Sequence, residues 1–416
     1  MITTSYVADS EQGVIQQPLG VCAAIVPFNS PLITLGMKVA PALAAGNTMV
    51  VKTSEYNPLS VLALGDLAIQ AGLPPGALNV MCGDAEAGQA LSSHMKIRKI
   101  SFTGSPVVGR MIQAAAAASN LKRVTLELGG KSPVLVFNDT NVESAAAGCM
   151  QFMAFNGQGC VNGTRVLVQE DIADAFVKAL VPMVQGMGQT LGADPFNPTT
   201  MSMPMFHQVQ RDRVVAMLEE GKQESTVLAG GSRWGTKGLY IEPTVLYQPV
   251  SNARVVREEI FGPVLVVQTF ESEAQALKMA NDTEYGLGAY VYTSSLDRAI
   301  RVSKALEAGT VCVNTGNVVH KIIPFGGWKG TCDHPNYLYT LKEDIRADRC
   351  SHRKRHWSRK WRVRTACVHA AEVHHYQVRL TKPEAHRWLM LLKVFARCLI
   401  SCKMFLVSQS WILWST

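Results

Sequence analysis

One cysteine stands inside the stretch Phe155-Asn156-Gly157-Gln158-Gly159-Cys160-Val161-Asn162-Gly163-Thr164-Arg165. Glycines on either side let the backbone turn tightly and leave the sulfur uncovered. The thiolate is the nucleophilic form of cysteine. Backbone N–H groups of such a turn can receive the oxyanion formed when it attacks a carbonyl. An apolar helical run, residues 145–155, precedes the turn, and a β-branched run, residues 165–168, follows it. The same pattern also fits a buried and inert cysteine, so the rest of the chain must decide between them.

The elements that could position such chemistry alternate along the first third of the chain. Apolar runs of strand length cover residues 21–26, 48–52, 78–81, 97–102 and 124–128. Helical runs lie between them, one opened by Asn57-Pro58 and another by Ser105-Pro106, with Gly46 and Gly72 as stops. This alternation predicts an open parallel α/β sheet, which binds ligands at the carboxyl ends of its strands. The residues at those ends are Asn29, Lys52-Thr53-Ser54-Glu55, Gly83, Gly104-Ser105 and Glu127-Leu128-Gly129-Gly130. Lys52 and Glu55 together suit the hydroxyls of a ribose. Glu55 would repel a 2′-phosphate, which favours NAD over NADP. Gly104-Ser105 at the start of a helix offers N–H groups and a dipole to a pyrophosphate. Ordinary strand-end turns with capping residues remain the plainer reading of the same positions.

Composition divides the chain. Residues 331–416 carry 16 of the 40 Lys+Arg, 6 of the 32 Asp+Glu and none of the 33 Gly. The overall net charge of +8 therefore resides in this tail, and residues 1–330 are slightly acidic. Within the tail, residues 353–364 interleave basic side chains with Trp357 and Trp361, a pattern that nucleic-acid binding could use. A spurious or disordered extension is the plainer reading, and nucleic acid is not the expected partner. Residues 389–414 are apolar but interrupted by Lys393, Arg397 and Lys403, which argues against a membrane span. The cysteines before residue 331 are odd in number and scattered (Cys22, Cys82, Cys149, Cys160, Cys312), and no signal peptide opens the sequence. These features predict a reduced, cytoplasmic protein without a metal site.

Several segments together resemble the NAD(P)-dependent aldehyde dehydrogenase superfamily. They are Pro27-Phe28-Asn29-Ser30-Pro31, Val51-Lys52-Thr53-Ser54-Glu55, Phe102-Thr103-Gly104-Ser105, Leu126-Glu127-Leu128-Gly129-Gly130-Lys131-Ser132-Pro133, Gly157-Gln158-Gly159-Cys160, Glu258-Glu259-Ile260-Phe261-Gly262-Pro263 and Pro324-Phe325-Gly326-Gly327. They stand in the family's order across roughly residues 14–329. The cysteine segment is most similar to the betaine-aldehyde and trimethylaminobutyraldehyde branch, although Ser30 and Met37 stand where that branch places aromatics. The resemblance implies a Rossmann-like coenzyme domain over residues 21–130 and an α/β catalytic domain over residues 131–330. An oligomerisation-strand remnant at 1–20 and an irregular basic tail at 331–416 would flank them.

The resemblance also implies roles. Cys160 would be the nucleophile, Asn29 an oxyanion donor, Glu127 the base for hydrolysis, and Lys38 a lysine near the thiol. NAD would lie against Ile25, Val26, Pro27, Phe28, Lys52, Ser54, Glu55, Gly83, Gly88, Phe102, Gly104, Ser105, Leu128 and Gly129. Glu259 and Phe261 would hold its nicotinamide end. A small-molecule aldehyde would be the substrate and a homo-oligomer the assembly. Plainer readings stay open beside these: Glu127 as a structural carboxylate, Asn29 as a turn residue, Glu258-Glu259 as a solvated pair and Lys131 as a surface charge. The family's early N-terminal section and its Ser-Gly-x-Gly-Arg-Glu segment have no counterpart, with Thr331-Cys332-Asp333-His334 in the latter's place. An inactive truncated relative, or a protein that binds a partner through its tail, is therefore the alternative.

Overall fold

The computed structural model describes residues 17–316 and 325–332 in full, and the backbone of Ile2–Val7, Ser10–Ile15 and Cys367–Val368. Expectations for the basic tail beyond Cys332, including residues 353–364 and 389–414, lie outside the described residues, as does Pro324. The chain divides into two compact units between Leu126 and Glu127.

In the first unit β1 (Ile2–Val7) and β2 (Ser10–Ile15) form an antiparallel hairpin, with Ile2 opposite Ile15. There follow β3 (Val21–Ile25), α1 (Pro31–Ala44), β4 (Thr48–Ser54), α2 (Leu59–Gln70), β5 (Leu78–Gly83), α3 (Ala85–Ser93), β6 (Lys99–Thr103), α4 (Pro106–Ala118) and β7 (Arg123–Glu127). The sheet runs β5-β4-β3-β6-β7, and β3 is parallel to both of its neighbours. Strand β3 reads Val-Cys-Ala-Ala-Ile and is buried from Cys22 onward, as expected of a strand covered on both faces. The strand order reverses between β3 and β6, which is where a crevice opens at the strand ends of such sheets. Helix α4 begins as the sequence predicts. Ser105 caps it, with its Oγ accepting from Val108 N at 3.4 Å, and Pro106 follows in the first turn.

The second unit holds β8 (Ser132–Val136), α5 (Val142–Cys149), β9 (Gly163–Gln169), α6 (Ala173–Gly188), α7 (Gln208–Gln223), β10 (Thr226–Ala229), β11 (Thr244–Tyr247), α8 (Arg254–Arg257), β12 (Val264–Phe270), α9 (Glu273–Asn281), β13 (Gly288–Tyr292), α10 (Leu296–Ala305), β14 (Thr310–Val313) and β15 (Cys367–Val368). Its sheet order is β10-β11-β12-β9-β8-β13-β14-β15, parallel except at the two outer pairs. Alternate residues along β8 and just after it feed opposite cores: Val134 and Val136 pack with α5 and α6, while Leu135 and the following Phe137 pack with α9 and α10. A buried Arg165 in β9 donates to Met279 O at 2.9 Å and Ala280 O at 2.8 Å, tying the central strand to the end of α9.

The helix expected over 145–155 is interrupted. Helix α5 stops at Cys149, and a tight 3₁₀ segment continues through Gly157. Within it Ala154 is extended, and Phe155, Asn156 and Gly157 are all left-handed, with φ of 54°, 55° and 74°. The carbonyls released by this break are taken up elsewhere. Asn162 Nδ2 donates to Phe152 O at 3.2 Å and to Ala154 O at 3.0 Å. A Cβ on Gly157 would overlap the backbone of Gly262, so no larger residue fits this turn.

Gly157→Ala should combine left-handed strain with a backbone clash and cost roughly 3 kcal/mol or more. Urea denaturation measures it, and a loss of under about 1 kcal/mol would show that the turn relaxes freely.

Candidate active site

The turn after the 3₁₀ segment presents Cys160, which is half-buried and unlinked to any other cysteine. Side chains hold this turn from several directions. Gln158 Nε2 donates to Phe155 O at 3.0 Å, and Gln158 Oε1 accepts from Phe206 N at 2.9 Å. Tyr290 on β13 donates its hydroxyl proton to Val161 O at 2.7 Å. Burial, then the carboxylates of Glu259 and Glu127, push the Cys160 thiol up to about 12. The backbone N–H groups of Cys160 and Val161 bond the sulfur and oppose that shift. The fold thus disfavours the thiolate while placing two amide donors beside the sulfur.

Glu127 ends β7 and is half-buried. Leu128, Gly129 and Gly130 follow it as a fully buried turn. Gly130 N donates to Glu259 Oε1 at 3.2 Å. A Cβ on Gly129 would overlap the Glu259 carboxylate, and one on Gly130 would overlap the Cys160 carbonyl. Glycines here thus allow one turn to lie against both the Cys160 loop and Glu259. Leu128 N donates to Thr331 O at 2.9 Å.

Glu258 and Glu259 part company. Glu258 ion-pairs with Arg254 at 3.1 Å and fits the solvated reading, whereas Glu259 turns inward. Burial pushes the Glu259 carboxyl up to about 7, against the pull of the Gly130 N–H and of Lys131. Phe261 is left-handed at φ 57°. Helix α7 secures this segment: Gln210 Nε2 donates to Ile260 O and Phe261 O, and Arg213 donates to Glu259 O and Ile260 O.

One plainer reading and one expectation are corrected. Lys131 is not a surface charge; it is 1% exposed, and its Nζ has no hydrogen-bond partner among the described residues. Burial, and next the Arg165 charge, lower its ammonium to about 7. Thr331 does not open a loose tail; it is completely buried and bonded to the turn after Glu127. Its place was obscured because composition averages over many residues. Gln210, Arg213, Asn162 and Tyr290 were not singled out either, since their partners are backbone carbonyls that carry no sequence signature.

The remaining candidates belong to the first unit. Ile25 and Val26 are buried at the end of β3, and Ile25 pairs with Phe102 of β6 across the switch point. Pro27, Phe28 and Asn29 are half-buried in the following turn, where Asn57 Nδ2 donates to Phe28 O at 3.0 Å. Lys52 Nζ lies 3.7 Å from Glu55, with the lysine buried and the carboxylate exposed. Ser54 is buried at the end of β4, Gly83 ends β5, and Gly88 lies in α3. Gly104 follows β6, packed so that a Cβ would strike the Phe102 ring, and Ser105 is exposed at the α4 N-terminus. Lys38 Nζ donates to Ser101 Oγ at 2.8 Å. The helix N-terminus beside the switch point of β3 and β6 and the amine–carboxylate pair supply donors and acceptors that fit a dinucleotide.

Comparison with known proteins identifies the family. The model of the aldehyde dehydrogenase family matches residues 2–336. An aldehyde dehydrogenase of Davidiella tassiana is 47% identical over 324 residues, covering 77% of this chain and 65% of that protein. Human retinaldehyde dehydrogenase 3 is 45% identical over 316 residues, covering 75% and 61%. The chain thus spans 61–65% of the length of these curated relatives. Among solved structures, the P. syringae indole-3-acetaldehyde dehydrogenase AldA, a mutant in complex with NAD+ and IAA, has TM-score 0.77 and 36% identity, covering 80% of this chain and 68% of that one. PnpE in complex with nicotinamide adenine dinucleotide has TM-score 0.76 and 40% identity, covering 80% and 69%.

Lys131 supplies a pH test. The fold disfavours its charged form, so the penalty is complete below about 7 and fades as pH rises toward the ordinary value of 10.5. Lys131→Met should therefore raise stability more at about pH 6 than at about pH 10. Denaturant midpoints at the two pH values measure this; an equal shift at both would contradict it.

Proposed function

This chain belongs to the aldehyde dehydrogenase family, and from that premise we propose that it oxidises an aldehyde to a carboxylic acid with NAD+. The observation that carries the reading is the grouping, within the second unit, of Cys160 with the Glu127 and Glu259 carboxylates around a pinned turn.

Cys160 gives its proton to solvent water and its Sγ attacks the aldehyde carbon, whose oxygen takes the carbonyl electron pair and becomes an oxyanion. The N–H of Cys160 stabilises that charge, and the family resemblance assigns the side-chain amide of Asn29 the same task. Bound NAD+ supplies the acceptor for the hydride lost from the same carbon, which leaves a thioester on Cys160. Glu127 then takes a proton from water as the water oxygen attacks the thioester carbonyl. The carbon–sulfur bond breaks, the acid departs and the sulfur is regenerated. Glu259 and Phe261 orient the nicotinamide end, and Lys38 is assigned to the surroundings of the thiol.

For the coenzyme, the Lys52–Glu55 pair supports NAD over NADP, and the AldA and PnpE structures hold NAD. The run from Gly157 to Arg165 supports a place near the betaine-aldehyde branch. Family membership supports a homo-oligomer. A cytoplasmic location accords with the mouse relative named cytosolic aldehyde dehydrogenase 1. No helix among the described residues is long and apolar enough to cross a membrane.

Cys160→Ala should abolish NADH formation from aldehydes and also ester hydrolysis. Glu127→Gln should keep a first burst of NADH while steady turnover falls about a hundredfold, because only hydrolysis needs the base. Rapid-mixing absorbance separates the two phases, and turnover retained in Cys160→Ala would refute the assignment of the nucleophile. Glu55→Gln should narrow the preference for NAD in initial-rate assays; faster rates with NADP in the unmodified protein would overturn the coenzyme argument.

A further inference from the structure

Two hydrogen bonds join Thr331 to the turn after Glu127, and a third ties it to Gly286. Its Oγ1 donates to Gly129 O at 2.9 Å and accepts from Gly286 N at 3.0 Å. Its backbone carbonyl accepts from Leu128 N at 2.9 Å. The segment that brings it there is itself fastened. Lys329 Nζ donates to Asn281 O at 2.7 Å and Thr283 O at 3.2 Å, and Gly330 N donates to Glu284 O at 3.1 Å. Trp328 N donates to Gly286 O at 2.9 Å, and a Cβ on Gly286 would crowd the carbonyls of Glu307 and Trp328. One side of the Thr331 hydroxyl therefore meets a rigid backbone anchor, and the other meets the glycine turn that follows Glu127.

We propose that Thr331 is a positioning residue for Glu127, acting through the Gly129 carbonyl on the hydrolytic half of the reaction. The inference rests on the aldehyde-oxidising reading above. In that half, water loses a proton to Glu127 while its oxygen bonds the thioester carbon. The carbon–sulfur bond then breaks with its electron pair going to sulfur, and no electrons are exchanged with a coenzyme. Formation of the thioester depends on the Cys160 turn, which Gln158, Asn162 and Tyr290 hold without Thr331, and on Glu259, whose backbone Arg213 fastens at 2.7 Å. Loss of the hydroxyl should thus slow hydrolysis while sparing acylation. Shape alone would not do this, since valine fills the same space and lacks only the directed bonds.

The test compares Thr331→Val and Thr331→Ser in the full chain. The valine variant should keep the NADH burst and lose about tenfold or more in steady turnover, and serine should restore turnover to within about threefold. Burst and turnover falling together, or valine matching the unmodified protein, would overturn the proposal. Amide hydrogen exchange across residues 127–131 and 284–287 reads the same bonds without any activity. Faster exchange there in valine, with serine unchanged, supports the positioning role; unchanged exchange in valine refutes it. If the unmodified protein shows neither burst nor turnover with a panel of aldehydes, the functional reading fails, and the exchange data still decide the role of Thr331. Should the valine variant not fold, Thr331→Cys, with its weak thiol donor, replaces it under the same criteria.

Discussion

No group larger than hydrogen fits between the turn that follows Glu127 and the carbonyl of Cys160. This close approach of two backbones sets the spacing between a carboxylate and a thiol that stand on different elements. The elements on either side of it maintain the approach. The left-handed run Phe155-Asn156-Gly157 swings the chain off the α5 axis toward the approach, and Asn162 takes up the carbonyls exposed by that swing. The all-parallel centre of the sheet then supplies stiff strands on both sides, β8 after the glycine turn and β9 after the cysteine turn. A nucleophile on a loop gains precision only when its neighbours remove the loop's freedom, and here they are backbone contacts as much as side chains.

The electrostatics of the same region are balanced close to neutrality. Glu259 and Lys131 are both held near 7, from opposite directions and chiefly by burial. Each is thus drawn away from its charged form by the same loss of solvent. The same desolvation pushes the Cys160 thiol up. The donors around the sulfur are amides, whose partial charges do not titrate.

Part of this was legible in the sequence and part was not, for reasons that differ by residue. The cysteine turn and the Gly129-Gly130 pair announce themselves through residue type, because few sequences place a thiol or paired glycines so. Strand β3 was equally plain, since a short unbroken apolar run has few other uses. Lys131 misleads because a lone lysine is usually solvated, and nothing beside it in the chain reveals that β8 carries it inward. Thr331 misleads for the opposite reason: the composition of a long tail was allowed to speak for its first residue. The contacts of α7 were invisible because Gln210 and Arg213 bind carbonyl groups that every residue possesses.

The crowded glycines also limit how the chain can vary. Gly129 faces the carboxylate of Glu259, and Gly159 faces the amide of Asn162. In both cases the obstacle is a side chain, so a methyl at the glycine could be accommodated by a shorter partner. Gly130 and Gly157 face the main chain of Cys160 and Gly262. Shortening a side chain cannot make room there, since every amino acid brings the same carbonyl. The first two positions can drift in compensated pairs, whereas the other two have no route to substitution that leaves the two turns where they are.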